Sequence, residues 1–343
     1  ETIATLWKGY GEITRKTAAD GSTSIIKRVM LPKVDDEPDN RSDDSMRKRI
    51  SYQVERHLYI ENPNGHVGLA RIAKYIDSGT DFLEMEDLEK SFPVTKSRPL
   101  DHESAKLVLR WLARFHGANF GSDGEDDPKG LRIIPAPNAR ENDLSHVVQD
   151  DIKESGRSKG FSYWKTGTYW YLDTRRAEAR NLQTDDNPLK DWLNVLPDFI
   201  NRKLKDIGAD GMTLIHGDVK AAKVFFNAEN TDVALYDFQY CGYSTPMRDV
   251  AAFLVTSVAD INEQSLDVLL RYYHEHLITE SGRVTKQYTY ETMLEHYELC
   301  VVDFHRFMLS WGTWGNHRYA ARVAKKWINE RREELIDTFR NGW

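Results

Sequence analysis

Two carboxylates set the chemistry this chain could perform. Asp218 stands in T-L-I-H-G-D-V-K-A-A-K-V-F-F, and Asp237 in V-A-L-Y-D-F-Q. Carboxylates gathered on loops can hold a divalent cation and face an anionic substrate. A pair of solvated turn aspartates is the competing reading of the same residue types. The elements that must position them are short. Thr213–Ile215, Val224–Phe226 and Val233–Tyr236 are apolar, partly β-branched runs that predict strands, with a turn over Asn227–Asp232. Asp218 then falls in the loop after the first strand, and Asp237 at the end of the last.

Spacing is more specific than residue type. His216-x-Asp218, a polar residue five positions on, and Asp237-Phe238 fourteen further give the layout of a kinase catalytic loop and metal-binding loop. H-G-D rather than H-R-D, and D-F-Q rather than D-F-G, resembles the small-molecule branch of that superfamily: aminoglycoside phosphotransferases, choline kinases and ecdysteroid-kinase-like proteins. The resemblance implies that Asp218 orients an acceptor hydroxyl and takes its proton. It implies that Asp237 holds Mg²⁺ bridging the phosphates of ATP, and that His216 holds the loop. The fold it implies is α+β, two-lobed and protein-kinase-like. A small antiparallel sheet with one helix would occupy residues 1–90, and a larger, mainly helical lobe residues 91–343. One position departs from the family pattern H-G-D-x-x-x-x-N, whose Asn supplies an oxygen to a second Mg²⁺. Here it is Lys223, and an ammonium has three donors and no lone pair. Lys223 is expected near the second metal's place, against phosphate or Asp218, and joins Asp218 as a catalytic candidate.

The N-terminal third supplies the other half of a nucleotide site. L-W-K-G-Y-G-E-I-T-R and S-T-S-I-I-K-R-V-M-L-P predict strands of a meander turning at Asp20-Gly21. Gly9 and Gly11 are where backbone could close over phosphates, and also suit a plain hairpin. Lys27 in I-I-K resembles the strand lysine that grips the α- and β-phosphates, with Lys33 a second candidate. Val34–Ser45, acidic and Pro-containing, predicts a loop. Met46, Ile50, Val54 and Leu58 recur every four residues and predict a helix, stopped by Asn62-Pro63. Glu55 beside that stripe matches the glutamate that pairs with the strand lysine. A hairpin is expected from strand Ile72–Ile76, turn Asp77–Thr80 and strand Asp81–Met85. Its end, M-E-D-L, resembles the hinge of the ecdysteroid-kinase-like proteins. That resemblance makes Met85 the gatekeeper, with the Glu86 carbonyl and Leu88 amide on the adenine edge.

Ala105, Val108, Leu109, Leu112 and Phe115 share one face of an amphipathic helix, whose His116 reads as a core histidine. Gly121–Pro137 is loop-like, and G-F-S-Y-W-K-T-G-T-Y-W-Y-L is dense enough in aromatics for a core or a ligand grip. D-W-L-N-V-L-P-D-F-I-N-R-K-L-K predicts the helix before the catalytic stretch. Beyond it, Gly242, Pro246, Asp249, Ala251 and Phe253 match G-x-P-x-x-D-L-A-x-F-L of the small-molecule kinases, implying a structural role for Asp249. Helices are expected over Leu266–Leu277, Tyr290–Leu309 and Tyr319–Phe339. Trp311 and Trp314, three apart, would share a helix face. They resemble the acceptor-facing W-x-x-W of choline kinases, although core packing explains the spacing as well. Asp303 and Glu298 could offer charge to a cationic acceptor.

At 343 residues with a net charge of −7, the chain can bury two lobes and lacks the basic footprint of a nucleic-acid binder. No apolar run reaches the roughly 20 residues of a membrane span, and E-T-I-A-T-L-W-K lacks the basic and apolar regions expected of a signal peptide. It begins at Glu1 without an initiator Met, as expected of a trimmed or partial chain. Two cysteines are too few for a disulfide framework or zinc site, so a cytoplasmic setting is expected. Two functions follow. The first is an ATP- and Mg²⁺-dependent phosphotransferase acting on a small-molecule hydroxyl, such as that of an amino alcohol or another cationic or flat acceptor. The second is a catalytically impaired, kinase-like binding or regulatory protein, argued from Lys223. Transfer of AMP instead of phosphate has nothing in the sequence to favour it.

Overall fold

The computed structural model describes residues 1–6, 9–30, 43–96, 99–124, 132–134, 161–180, 192, 195–282 and 288–341. Among these, β1 (Thr2–Thr5), β2 (Gly11–Thr17) and β3 (Thr23–Val29) form the meander, with the turn at Asp20-Gly21. Helix α1 (Asp43–Glu61) follows, then the small hairpin β4 (His66–Val67) and β5 (Ala70–Arg71), and the hairpin β6 (Tyr75–Ser78) and β7 (Phe82–Glu86). The antiparallel sheet runs β1-β2-β3-β7-β6. Its register sets Ile13 opposite Lys27 and Ile25 opposite Met85. Strand alternation then turns Ile13, Ile25, Lys27 and Met85 to one face, which roofs a cleft.

Helix α1 buries Ile50, Val54 and Leu58 completely, as their period requires. It starts earlier than expected, since Asp43, Asp44 and Ser45 are helical. Residues 34–42, and Lys33 with them, lie outside the described residues. The expected strand Ile72–Ile76 is displaced to Tyr75–Ser78, because Ile72 and Ala73 are buried in the core after the β4–β5 hairpin.

The second half is mostly helical. Helix α2 (His102–Ala118) is capped by Asp101, which accepts the Ser104 N–H, and packs along Glu263–Ser281. Then come β8 (Arg132–Ile134), β9 (Phe161–Trp164), α3 (Arg176–Arg180), α4 (Leu196–Lys205) and β10 (Thr213–Ile215). Strands β11 (Val224–Phe226) and β12 (Val233–Leu235) pair as a hairpin, and β13 (Gly242–Ser244) precedes α5 (Met247–Ser257), α6 (Glu263–Ser281), α7 (Tyr290–Trp311), α8 (His317–Glu330) and α9 (Arg332–Asn341). Strand β10 pairs with β13, a strand the sequence did not mark. One expectation changes here. Tyr319–Phe339 is two helices meeting at Arg331, because Asn329–Glu334 holds no apolar residue to carry one continuous buried face. Within the aromatic segment, Trp164, Trp170 and Tyr171 are buried in the core. Among the described residues no helix is long and apolar enough to cross a membrane.

Candidate active site

Strand β10 delivers His216, Gly217 and Asp218 to the cleft, and the buried Asp249 in the first turn of α5 fixes them from behind. Its carboxylate accepts the N–H of His216 at 2.7 Å and of Gly217 at 2.9 Å, with His116 Nε2 3.2 Å away. His216 Nε2 lies 3.1 Å from the Tyr236 carbonyl, and the Asp218 N–H donates to Nδ1 at 3.3 Å. That pairing selects the neutral tautomer with its proton on Nε2. Burial, seconded by the charge of Lys223, pushes the imidazole below its ordinary value. Gly217 has φ +84°, and a Cβ there would lie 2.1 Å from the Tyr240 carbonyl oxygen. Glycine is therefore what lets the catalytic-type loop press against the turn after Asp237. Asp237 itself has φ +70°, which ends β12 one residue before the predicted Tyr236.

Between the two loops lies a network of buried charge. Lys27 Nζ is 2.6 Å from Glu55 Oε2 and 3.4 Å from Asp237 Oδ1. Lys223 Nζ is 2.6 Å from Asp237 Oδ2 and also donates to Asp218 Oδ2. Lys220 Nζ reaches the same Asp218 oxygen at 3.3 Å. Burial would raise the Asp237 carboxyl, but the ammonium groups of Lys223 and Lys27 hold it far below the usual carboxylate range. Burial likewise works against the charge on Lys223, yet Asp237 and Asp218 raise it well above an ordinary lysine. Burial also works against the charge on Lys27, and Glu55 and, less strongly, Asp237 raise it in spite of that. Both lysines on Asp218 meet Oδ2; Oδ1 has no hydrogen-bond partner among the described residues.

The network opens on a cleft of about 660 Å³ lined by Leu6, Ile13, Ile25, Lys27, Met85, Glu86 and Leu88 from above and by Tyr169, Asp218, Lys220, Asp237 and Trp311 from below. M-E-D-L reaches it with both acidic side chains pinned. Glu86 takes Arg71 Nη2 at 2.6 Å, and Asp87 takes Arg15 Nε and Thr23 Oγ1, each at 2.7 Å. A second cavity of about 440 Å³ adjoins it through Tyr169, Asp218, Lys220 and Trp311, and is closed by Trp170, Phe304 and Trp314.

The structure brings together Lys27, Glu55, Asp218, Lys223 and Asp237, with Met85, Glu86 and Leu88 on the same cleft. Other expectations need correcting. Gly11 is buried at the start of β2, paired with Val29 of β3, and a Cβ there would meet the Arg28 carbonyl oxygen at 2.0 Å. Gly9 is an exposed turn residue donating to Leu6. Strand packing and turn geometry thus account for both glycines, and Ile3–Leu6 line the cleft in their stead. Trp311 is the last residue of α7, and Gly312, at φ +144°, takes Trp314 off the helix. Both tryptophans still line the smaller cavity. Asp303 is 1% exposed, between Arg306 at 2.8 Å and Arg248 at 3.2 Å, and faces no acceptor. Glu298 pairs with Lys326. Arg175, ion-paired with Glu178 at 3.1 Å, lies 4.8 Å over the Trp311 ring.

Lys48, Lys220 and Arg175 are among the cleft residues that sequence did not single out. Lys48 donates to Gln239 Oε1 at 2.9 Å, and Lys220 and Arg175 line the cleft floor. Lys48, Tyr52 and Glu55 recur at helical spacing, which could have found the first of these. Gln239 stood in the D-F-Q motif without a role, and nothing in local pattern marks Arg175.

The donor set accommodates one hard cation at Asp237, since Mg²⁺ is commonly held by one or two carboxylates plus substrate phosphates. A second ion between Asp237 and Asp218 does not fit, because the Lys223 ammonium already bridges those two carboxylates. Among the described residues no cluster of three acidic, histidine or cysteine side chains could hold a metal by itself.

A sheet with its lysine–glutamate pair, over a helical half carrying H-G-D and D-F-Q, defines a small-molecule kinase-like protein. The ecdysteroid kinase-like family matches residues 68–285, more than half of the chain, and the chain belongs to that family. No curated protein matches it. Among solved structures, the choline kinase of Cryptosporidium parvum Iowa II aligns at 10% identity with a TM-score of 0.52, covering 98% of this chain and 90% of that one. A choline kinase of Streptococcus pneumoniae aligns at 14% identity and a TM-score of 0.46, over 95% and 94% of the chains. A macrolide 2'-phosphotransferase of Brachybacterium faecium aligns at 13% identity and 0.42, over 92% and 88%.

Proposed function

We propose that this chain transfers the γ-phosphoryl group of ATP to a hydroxyl of a small molecule. The observation that carries the reading is the open Oδ1 of Asp218, on the border of two adjoining cavities, while Oδ2 is held by Lys220 and Lys223. The acceptor hydroxyl donates to Oδ1 and gives up its proton there as its oxygen bonds to phosphorus and the bond from phosphorus to the β,γ-bridging oxygen breaks. Lys27, oriented by Glu55, binds the α- and β-phosphates. Met85 borders the adenine, whose edge meets the Glu86 carbonyl and the Leu88 amide. Asp237 would hold a Mg²⁺ ion, which when bound offsets phosphate charge. Lys223 sets the positions of Asp218 and Asp237. The exposed Trp311 ring offers one flat face to a flat acceptor, with Trp314 and Tyr169 as walls set across it. We take the boundary between nucleotide and acceptor lobes near Lys90, and a cytoplasmic setting, in keeping with the two buried free thiols.

A second reading rests on one observation, the Lys223 ammonium between the two aspartates: a kinase-like binding protein with turnover much reduced. Incubation with ATP and Mg²⁺ and a panel of sterol-like alcohols, amino alcohols and aminoglycosides separates the two. A phosphorylated product found by mass spectrometry is expected, first among the flat alcohols. Nucleotide binding with no product from any of them would leave the binding protein.

A further inference from the structure

Helix α1 meets the loop after β12 at two places. The first is a chain of charge: Glu55 holds Lys27 at 2.6 Å, and Lys27 lies 3.4 Å from Asp237. The second is two residues further along that loop, at Gln239. Lys48 Nζ donates to Gln239 Oε1 at 2.9 Å. The Ser51 hydroxyl, which donates to the Lys48 carbonyl at 2.7 Å, lies 3.4 Å from the same amide oxygen. An ammonium is a donor only, so the oxygen of the amide is the atom that must face the helix. With three donors, the ammonium keeps this bond whatever else it meets. From the other side, the Trp164 indole N–H donates to the Gln239 carbonyl at 2.8 Å. Gln239 is 5% exposed and lines the cleft.

Lys48, Ser51 and Glu55 follow one another by three and then four residues, so they share one face of α1. One turn of that face holds Gln239, and the next holds Lys27 through Glu55. Asp237 has φ +70°, so the second contact sits just past the bend that aims its carboxylate. A helix that drifts from Gln239 also carries Glu55 away from Lys27. We propose that Gln239 is a positioning residue for the nucleotide: by tying α1 to the Asp237 loop it keeps Glu55 against Lys27, and Lys27 in place for the α- and β-phosphates. The inference rests on the nucleotide reading above and deepens it with a residue that acts through Glu55.

Calorimetric titration of the full chain with a non-hydrolysable ATP analogue and magnesium chloride tests this in a double-mutant cycle. Gln239→Met keeps the length of the side chain and removes the acceptor, and affinity should fall about five- to twentyfold. In a chain that already carries Glu55→Gln, the same substitution should change affinity by less than about twofold, because the ion pair it protects has gone. Equal losses in both backgrounds, the mark of a merely structural residue, would overturn the proposal, as would no loss in the first. Hydrogen exchange in the natural chain needs no variant to fold. The analogue should slow exchange in α1 and in residues 236–241 together. Protection of that loop with α1 unchanged would overturn the proposal and leave nucleotide binding standing. No binding of the analogue by the natural chain would remove both.

Discussion

The chain buries two networks of charge, and they are built for opposite ends. In the helical core, Asp303 spends one oxygen on Arg306 and the other on Arg248. Arg306 continues to the Trp170 carbonyl, and Arg248 lies over the Trp170 ring. All three charged residues are 3% exposed or less. Arg248 Nε and Nη1 and Arg306 Nη1 have no hydrogen-bond partner among the described residues, but neither arginine lines the cleft or the cavity beside it. The network around Asp218 and Asp237 shares the burial and does face that cleft. It ends there, and one Asp218 oxygen has no partner among the described residues. Buried charge alone therefore does not mark a site; an unspent valence facing a cavity does. A sealed pair is a staple whose worth is felt when half of it is removed.

The comparison can be broken most forcefully from the sealed side. Asp303→Ala strands two arginines and should cost about 3–5 kcal/mol of stability in urea unfolding. If stability holds and only acceptor binding changes, the two networks are not different in kind. On the open side, Glu55→Gln removes the partner that orients Lys27. Nucleotide affinity should weaken roughly ten- to a hundredfold, the worth of a charge-assisted hydrogen bond, with stability less affected than in Asp303→Ala.

Acid should find the sealed side next. His305, on the same helix as Asp303, is buried with neither ring nitrogen hydrogen-bonded among the described residues, and burial pushes it down to about 4. The neutral form is the one that folds, so its contribution is complete above the ordinary value of 6.5 and falls as pH drops from there toward 4. Unfolding midpoints should decline across that window by something on the order of 1 kcal/mol or more. His305→Phe should flatten the slope; an unchanged slope would locate the titration elsewhere. His296, also pushed down to about 4 by burial, would then be the next residue to test. The smallest effect on stability is expected at Trp311, which is 57% exposed. Trp311→Ala should shift unfolding by no more than about 0.5 kcal/mol while raising the acceptor KM several-fold.

How much of this was legible in sequence follows from the range of the interactions. Short β-branched runs and the four-residue period of α1 are local signals, and they placed β10, β11 and the face of α1 that carries Glu55. The order of Lys27, Glu55, Asp218 and Asp237 survived because resemblance preserves order. Contacts made across the fold were not legible. Whether Asp303 faces solvent or two arginines depends on how α5 packs against α7, and the pairing of β10 with β13 passes over the hairpin between them. Trp314 illustrates the same limit, since one glycine removed it from the helix that its spacing suggested. Lys48 could have been found from its place on the Glu55 face.

The central claim is that Asp218 serves the acceptor hydroxyl through its open oxygen. The most direct test is acceptor-stimulated ADP release by the natural chain and by Asp218→Asn, at saturating nucleotide and with nucleotide affinity measured in parallel. The account predicts stimulation in the natural chain and a loss of roughly 10²-fold or more in the variant, with nucleotide still bound. Equal release by both proteins, or stimulation that appears only in Lys223→Asn, would contradict it.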